Sequence, residues 1–321
     1  MHVWRVIDPN THKPQTGAFY LLQTHKHMYS QKNSPTSTST PDTTPPLRVC
    51  IQGYQGAFHE IAARHSFQKQ PVEVVPAATF EELVQRLEQE QEVDAAMMAI
   101  ENTLAGSILY NYQLLNDSEL HVVGETYLRI RQNLMALPGQ RLEDLTEVHS
   151  HPMAIAQCRE FFRQYPDIRL VETEDTALSA RMVREDNLHT VGAIASTLAA
   201  ELYDLAILAP AIETNKENYT RFLVLSRDQP QQKAEKVSVC FSADHAVGSL
   251  YKVLAVLAAY NVNLSKIQSM PIIGKPWEYL FFVDFLVAGK VGYEQAIEAI
   301  RPLTHYLRVL GAYPQGQHFD Y

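Results

Sequence analysis

Residues 47–58, LRVCIQGYQGAF, pass from an alternating apolar segment through a glycine turn to the start of a helical pattern. The alternation over 47–51 predicts a strand, and the residues after the turn predict a helix over about 57–67. A strand that leads through a short glycine turn into a helix is typical of an α/β unit. We therefore expect an α/β fold whose folded part begins with this segment.

The same alternation of short apolar strands with amphipathic helices continues to about residue 226. The pattern predicts helices over 80–89, 152–165, 176–185 and 195–202, and strands over 95–100, 146–149, 168–172, 190–194, 206–208 and 222–225. Alternation of this kind implies mostly parallel sheets that are covered by helices.

The last part of the chain has a different order of predicted elements. A polar stretch over 228–235 has no periodicity and predicts a linker. From 236 to 314 the order is strand, helix, strand, strand, helix, strand, and Val253 and Leu257 share one face of the first helix. This βαββαβ order predicts a ferredoxin-like second domain.

Both ends of the chain are predicted to lie outside these domains. Residues 1–46 contain a run over 34–46 in which every residue except Asp42 is Ser, Thr or Pro. Such a run cannot bury enough apolar surface to offset the entropy of ordering, so we expect a disordered extension. Residues 315–321 are expected to form a short tail.

Composition excludes several classes of protein. The 321 residues carry 27 Lys and Arg against 36 Asp and Glu, a formal charge of −9. An acidic chain is not expected to bind nucleic acid, and no apolar run approaches the ~18–20 residues of a membrane helix. Cys50, Cys158 and Cys240 lie far apart, which favours a reduced, cytoplasmic protein over a disulfide-linked one.

Two polar segments follow the first predicted strands, at positions where α/β proteins bind ligands. At Gly56 the turn opens a helix N-terminus, which favours an anion, although a tight turn alone would also need glycine. Glu101, Asn102 and Thr103 come directly after the strand over 95–100 and suit a polar ligand. The alternative is that Asn102 or Thr103 only caps a helix.

A third polar segment surrounds His151, which stands at a predicted helix start beside Ser150. Pro152 fits the first helical position, where its missing N–H costs nothing. His149 and His151 have a spacing that suits two metal ligands on one strand face, but no third ligand is near in sequence. We therefore favour a cleft residue over a metal site.

The fourth polar segment is Thr220-Arg221-Phe222, near the end of the first domain. The planar guanidinium of Arg221 suits a carboxylate, and Thr220 offers a hydroxyl. The alternative is an edge strand with one exposed arginine.

Taken in order, these four segments resemble those of the prephenate dehydratases, and the domain after them resembles an ACT regulatory domain. The resemblance covers residues 47–313. The corresponding motifs are Gly53–Phe58, then Ile100-Glu101-Asn102-Thr103 with Gly106 (Thr replaces the usual Ser), then Ser150-His151-Pro152 with Gln157 and Cys158, and finally Thr220-Arg221-Phe222.

The resemblance implies a two-lobed catalytic domain of the periplasmic-binding-protein type over 47–227. One lobe would combine about 47–122 with 206–226, and the other would span about 123–205. The four motifs would then meet in the cleft between the lobes.

The activity implied is the conversion of prephenate to phenylpyruvate, CO₂ and water, which requires no cofactor and no metal. Thr220 is expected to protonate the leaving hydroxyl, Arg221 to hold the pyruvyl carboxylate, and Phe222 to pack beside the ring. The residues expected to bind and orient the substrate are Gly56, Glu101, Asn102, Thr103, Ser150, His151 and Gln157.

Regulation by L-phenylalanine through the second domain, in a homodimer or homotetramer, is also implied. The expected effector residues are Val247, Gly248, Ser249, Leu250, Gln268, Ser269, Met270 and Pro271. Gln268 and Met270 stand where family members usually have Glu and Arg, so a charged contact to the effector is absent.

Two alternatives remain open on the sequence. An arogenate dehydratase would carry out the same elimination on the transaminated substrate, and a non-catalytic binding protein could share the fold. A fusion with chorismate mutase is not expected, because the Ser/Thr/Pro-rich leader does not predict a helical domain.

Overall fold

The computed structural model describes residues 45–229, 232–287 and 292–321. Most of the predicted extension, and residues 230 and 231 of the predicted linker, lie outside the described residues. Within the described part of the chain, no helix is long and apolar enough to cross a membrane.

The first lobe is built on a seven-stranded sheet. Its strands are β1 (Leu47–Gln52), β2 (Val72–Ala77), β3 (Ala95–Asn102), β4 (Gly106–Ser107), β5 (His121–Arg129), β11 (Tyr219–Ser226) and β16 (His318–Phe319). The order is β16-β5-β11-β3-β1-β2, and β4 pairs with β3. The helices are α1 (Phe58–Ser66), α2 (Phe80–Gln89) and α3 (Leu109–Asp117).

The second lobe is built on a five-stranded sheet, in the order β10-β6-β9-β7-β8. Its strands are β6 (Asn133–Ala136), β7 (Glu147–Ser150), β8 (Arg169–Glu172), β9 (Val191–Ala195) and β10 (Ala206–Ala209), and its helices are α4 (Pro152–Phe162), α5 (Thr176–Glu185) and α6 (Thr197–Leu202). The chain crosses between the lobes twice, before β6 and before β11.

Two details of the expected first domain are wrong. Strand β5, which the expected boundary at 122 divides, lies wholly in the first sheet, and β10, expected in the first lobe, pairs with β6 in the second. The sheets are also mixed, because β11 runs antiparallel to both β3 and β5. Pairing between segments about a hundred residues apart leaves no trace in local periodicity, so the sequence could not assign these strands.

The predicted βαββαβ order is confirmed in the C-terminal domain. Its elements are β12 (Lys236–Ser242), α7 (Ser249–Ala259), β13 (Asn263–Pro271), β14 (Tyr279–Leu286), α8 (Tyr293–Ile300) and β15 (Tyr306–Tyr313). The antiparallel sheet has the order β13-β14-β12-β15, which is the ferredoxin-like arrangement.

The C-terminal domain packs directly on the first lobe. Cys240, Phe282 and Tyr313 join Met98 and Leu223 of the first sheet in one buried cluster. Gly311 of β15 approaches β5 so closely that an added Cβ would lie 2.1 Å from the carbonyl oxygen of Val122. Glycine is therefore required where the two sheets meet.

The expected tail is part of the first sheet. In β16, His318 and Phe319 pair in parallel with β5. The ring of Phe319 stacks on His65 of α1, with 3.5 Å between ring centroids.

Candidate active site

A cavity of about 350 Å³ lies between the two lobes. The residues on its walls come from elements far apart in sequence. From the first lobe they include Phe58, His59, Phe80, Asn102, Thr220 and Phe222, from the crossover before β6 they include Ile130 and Gln132, and from the second lobe they include His151, Gln157, Glu174, Asp175 and Thr176.

Strand β11 contributes the predicted catalytic residues, but on two different faces. Thr220 and Phe222 line the cavity. Arg221 lies between them in sequence and points to the opposite face of the sheet, as alternation along a strand requires. The expected contact of Arg221 with a substrate carboxylate in the cavity is therefore wrong.

Arg221 instead enters a buried charged cluster between the first sheet and the C-terminal domain. Its guanidinium pairs with Glu125 of β5 at 2.7 Å and with Asp284 of β14. Lys236 of β12 donates to the same carboxylate of Glu125 at 2.9 Å. All four residues are less than 8% exposed. The cluster, which we call the Arg221 cluster, joins the strand that carries Thr220 to the C-terminal domain.

Asn102 orients the hydroxyl of Thr220. Its Nδ2 donates to Thr220 Oγ1 at 3.0 Å and to Asn218 Oδ1 at 2.8 Å. Its Oδ1 accepts from the backbone N–H groups of Leu104 and Ala105, both at 2.9 Å. The amide is thus fixed on both sides, and Thr220 Oγ1 accepts a hydrogen bond while its own proton remains free to be donated.

His151 and Gln157 lie in the cavity as predicted. His151 is the residue before α4, and its Nδ1 accepts from the backbone N–H of Met153 at 3.2 Å. The other nitrogen, Nε2, then carries the proton. Gln157 Oε1 accepts from Gln132 Nε2 at 3.2 Å and from Asn218 Nδ2 at 3.1 Å.

His149, the other half of the metal pair that we considered, bonds elsewhere. Its Nε2 lies 3.0 Å from Glu147 Oε2 on the same strand. In the described part of the chain, no group of three or more His, Cys, Asp or Glu is arranged to hold a metal ion.

Four residues that we expected to bind substrate do not line the cavity. Glu101 faces the C-terminal domain, where its carboxylate is 2.9 Å from Lys266 Nζ. Thr103 Oγ1 donates to the carbonyl of Glu217 at 2.8 Å and so fastens the chain that enters β11. The polar side chains of Glu101 and Thr103 therefore stabilise the fold. Their position in one motif with Asn102, which does line the cavity, does not indicate this difference.

The other two, Ser150 and Gly56, are also structural. Ser150 is fully buried, and its Oγ donates to the carbonyl of Ile194 in β9 at 2.7 Å. Gly56 has φ = +89°, and an added Cβ would lie 3.0 Å from the Cα of Ala199 in α6. Its carbonyl accepts from Ser196 Oγ at 2.6 Å, so Gly56 joins the lobes outside the cavity.

The cavity also contains residues that the sequence did not single out. His59 of α1 packs edge-on against Phe222, with 5.0 Å between ring centroids. Its Nε2 is buried without a hydrogen-bond partner among the described residues. Burial lowers the pKa of His59 to about 4, so the ring is neutral at neutral pH. A histidine on an amphipathic helix gives no sequence signal of such a position.

The expected effector residues lie in the turn before α7, at the start of that helix and on β13. Val247 is fully exposed, and Gly248 takes a left-handed conformation, φ = +80°, before α7. On β13, Gln268 Nε2 donates to the carbonyl of Ser269 at 2.9 Å, and Met270 is buried against the first lobe. Their role in binding an effector stays a prediction.

The family model described as prephenate dehydratase matches residues 49–230, a span that contains all of the second lobe, the first lobe apart from β16 and the first residues of β1, and all four motifs. The chain belongs to the prephenate dehydratase family. Arogenate dehydratase 2 of Petunia hybrida is 37% identical over 318 residues, which cover 90% of this chain and 80% of that relative. Members of this family are hydro-lyases, and the chain is an enzyme of that class.

Two solved structures share the fold. A prephenate dehydratase from Arthrobacter aurescens in complex with L-Phe is 29% identical, with a TM-score of 0.73 and coverage of 83% of this chain and 89% of that one. GqqA, described as a novel type of quorum quenching acylase, is 30% identical, with a TM-score of 0.75 and coverage of 84% and 98%.

Proposed function

We propose that this chain catalyses the decarboxylating dehydration of prephenate or of its transaminated form, arogenate. The products would be phenylpyruvate or phenylalanine, together with CO₂ and water. The observation that carries the proposal is the hydroxyl of Thr220, which lies in the cavity between the lobes and accepts a hydrogen bond from Asn102.

The reaction needs one proton and a fixed orientation of the ring. When the bond from the ring to the carboxylate breaks, its electron pair moves through the diene and breaks the C–O bond on the opposite carbon. The departing hydroxide takes a proton from Thr220 and leaves as water, and a proton from solvent restores the threonine hydroxyl. Formation of the aromatic ring supplies the driving force.

A threonine hydroxyl is a weak acid, so its surroundings must stabilise the alkoxide that forms. Asn102 Nδ2 donates to Thr220 Oγ1, and a donor to the charged form lowers the pKa of a hydroxyl. In a cavity from which the closing lobes exclude water, this stabilisation becomes stronger. A positioned acid of this kind commonly contributes about 10²–10⁴ to the rate.

Donors on the second lobe suit the carboxylates of the substrate. His151 Nε2 carries a proton, and Gln157 Nε2 makes no hydrogen bond within the described residues. His151 caps the N-terminus of α4 and Gln157 lies in its second turn, close to N-terminal N–H groups that favour an anion. Phe222 and His59, whose rings meet edge-on, line the part of the cavity where the substrate ring would pack.

Regulation by phenylalanine through the C-terminal domain is the second part of the proposal. The domain has the ferredoxin-like order that the ACT resemblance implies, and its β13 carries Ser269 and Pro271. Exposed apolar side chains on this domain, among them Val247 and Ile273, support pairing with a second copy of the chain. The Arg221 cluster would link effector binding to β11.

The test is turnover of prephenate and of arogenate by the purified protein, followed by phenylpyruvate absorbance and by phenylalanine release. We expect turnover of at least one substrate, and its loss in Thr220→Val. Thr126→Val is the matched control, because Thr126 is a buried threonine on the neighbouring strand β5 whose hydroxyl is unpartnered among the described residues. Failure of the wild type to convert either substrate would refute the proposal.

A further inference from the structure

The charge on the walls of the cavity is unusual for a site that takes a dianion. Glu174 and Asp175 line it, whereas Lys and Arg are absent from its lining in the described part of the chain. Arg129 and Arg131 flank the lining residue Ile130, but both pair with Asp320, at 3.4 and 3.3 Å. The fixed charge at the wall is therefore negative.

Gln132 adds an unsatisfied acceptor to the same wall. It is 3% exposed, and its Oε1 is buried without a partner among residues that the structure describes. Its other polar groups are occupied, because the backbone N–H donates to Glu213 Oε2 at 2.9 Å and Nε2 donates to Gln157 Oε1 at 3.2 Å. A buried acceptor without a donor is costly, and a ligand with a donor group can relieve that cost.

Asp175 is a second acceptor with capacity to spare. Its Oδ1 accepts from the backbone N–H of Leu178 at 2.9 Å, as the cap of α5. Its Oδ2 faces the glycine turn of the first lobe, 2.9 Å from where a Cβ on Gly53 would lie. Burial raises the pKa of Asp175, and a bound cation would lower it again.

These acceptors distinguish between the two candidate substrates, prephenate and arogenate. Prephenate and arogenate differ in one group, which is a keto oxygen in the first and an ammonium in the second. A keto oxygen can only accept hydrogen bonds, so it would face Asp175 and Gln132 Oε1 without a donor between them. An ammonium carries three donors and a positive charge, and so fits both acceptors.

We propose that Asp175 and Gln132, with Glu174 at the rim, form a subsite for the ammonium group of the substrate, so that the enzyme prefers arogenate to prephenate. Hydrogen-bond donors lie next to these acceptors. Gln157, which is hydrogen-bonded to Gln132, offers its Nε2, and His151 stands at the N-terminus of α4. Adjacent acceptors and donors match the ammonium and carboxylate that an α-amino acid carries on one carbon. The inference rests on the proposed function of the same cavity.

The experiment compares kcat/KM for arogenate and for prephenate in the wild type and in Asp175→Asn. Asparagine keeps the Oδ1 that caps α5, so folding is preserved while the charge is removed. We expect the wild type to favour arogenate, and the variant to lower the arogenate-to-prephenate ratio by about 10- to 100-fold, mainly through KM for arogenate. Glu172→Gln, on the exposed side of β8, is the control and should leave the ratio unchanged.

A second variant keeps the test decisive if Asp175→Asn does not fold. Glu174 is exposed, so Glu174→Gln is expected to fold, and it should lower the ratio in the same direction by a smaller factor. A wild type that favours prephenate, or a ratio that neither variant changes, overturns the ammonium subsite while the dehydratase function stands. Absence of turnover with both substrates would instead overturn the proposed function.

Discussion

Thr220 and Arg221 are neighbours in the chain, yet their side chains leave β11 on opposite faces of the first sheet. Thr220 lines the cavity between the lobes, and Arg221 pairs with Glu125 at 2.7 Å beneath the C-terminal domain. The strand that presents the reactive hydroxyl is therefore also the strand that anchors the second domain. Substitutions in the Arg221 cluster, where β11 meets the C-terminal domain, therefore act directly on the strand that carries Thr220.

Replacement of Arg221 by leucine should destabilise the protein strongly. Among the described residues, the variant leaves the Asp284 carboxylate with Ser238 as its one hydrogen-bond partner and without an ion-pair partner. Glu125 keeps Lys236, Tyr127 and the backbone N–H of Gly316. Loss of one partner of a buried ion pair costs about 3–5 kcal/mol, because the remaining charge stays buried without compensation. The measurement is the free energy of unfolding from urea denaturation.

Arg163→Gln provides the matched control for that prediction. Arg163 also forms an ion pair, with Glu160, but the arginine side chain is 77% exposed, so little change is expected. The double variant Arg221→Leu/Asp284→Leu should recover part of the loss, since it removes both charges. Equal stability of Arg221→Leu and Arg163→Gln would contradict the buried cluster.

Asn102→Asp should lower kcat, and it should also cost stability, because the donors to Asn218 Oδ1 and to the Tyr219 carbonyl are lost. The carboxylate keeps the acceptor that holds the N–H groups of Leu104 and Ala105. It replaces the donor to Thr220 Oγ1 by an acceptor, so the threonine proton turns toward the new carboxylate rather than toward the leaving hydroxyl. We expect kcat to fall by about 10²-fold or more, with KM changing much less.

Steady-state kinetics and thermal denaturation together check this prediction. Asn215→Asp is the control, because Asn215 is exposed and its Oδ1 accepts from the backbone N–H of Glu217, which a carboxylate also does. A kcat that is the same in Asn102→Asp and Asn215→Asp would remove the assigned role of the amide.

The sequence motifs identify five of the residues that line the cavity. The motifs do not show that some of their residues point away from the cavity. Asn102 and Thr220 can be found because polar groups at strand ends are frequent ligands in α/β folds, whereas Phe222 is found through the motif that carries the family resemblance. Arg221 is misplaced when the motif is treated as one unit, although alternation along a strand separates it from both neighbours. The position of Arg221 on the other face could therefore have been predicted from the alternation of side chains along the strand.

Other features cannot be read from local pattern. The assignment of β5 and β10 to their sheets depends on pairing with distant segments, such as β5 with β11. His59, Gln132 and Asp175 look like ordinary polar residues near helix starts or between strands. Only the closure of the two lobes brings them to one cavity, so their importance appears with the structure.

Stability should fall as the pH is lowered from about 6.5 to about 4, and His59 should account for part of the fall. Its pKa is 6.5 without perturbation and about 4 in the fold, because burial disfavours the charged ring. Between these values the unfolded chain binds a proton that the folded protein does not, so unfolding is favoured as the pH decreases. The difference corresponds to at most ~3.4 kcal/mol.

Urea denaturation at several pH values, repeated with His59→Phe, measures this contribution. The variant should show a smaller loss of unfolding free energy between pH 6.5 and pH 4 than the wild type. His245→Phe is the control, because His245 is exposed and the change there should leave the slope near that of the wild type. Parallel curves for the wild type and His59→Phe would show that the ring is not held neutral by burial.

Gly56→Ala should destabilise the contact between the lobes by more than Gly106→Ala does. Both glycines have positive φ, +89° and +81°, so alanine introduces a similar backbone strain at each, of about 1–2 kcal/mol. Only at Gly56 does the added methyl meet a neighbour, the backbone of Ala199 at 3.0 Å, whereas nothing lies within 4 Å at Gly106. We expect an additional loss of about 1–3 kcal/mol for Gly56→Ala, from overpacking against α6.

The comparison is made by denaturation of both variants and by their KM values. Displacement of α6 would shift the second lobe relative to the first, because Ser196 at the start of α6 bonds to the carbonyl of Gly56. KM should therefore rise in Gly56→Ala, while Gly106→Ala should differ from the wild type in stability alone. If both variants lose the same free energy of unfolding, the close approach of the turn to α6 does not limit the residue at position 56.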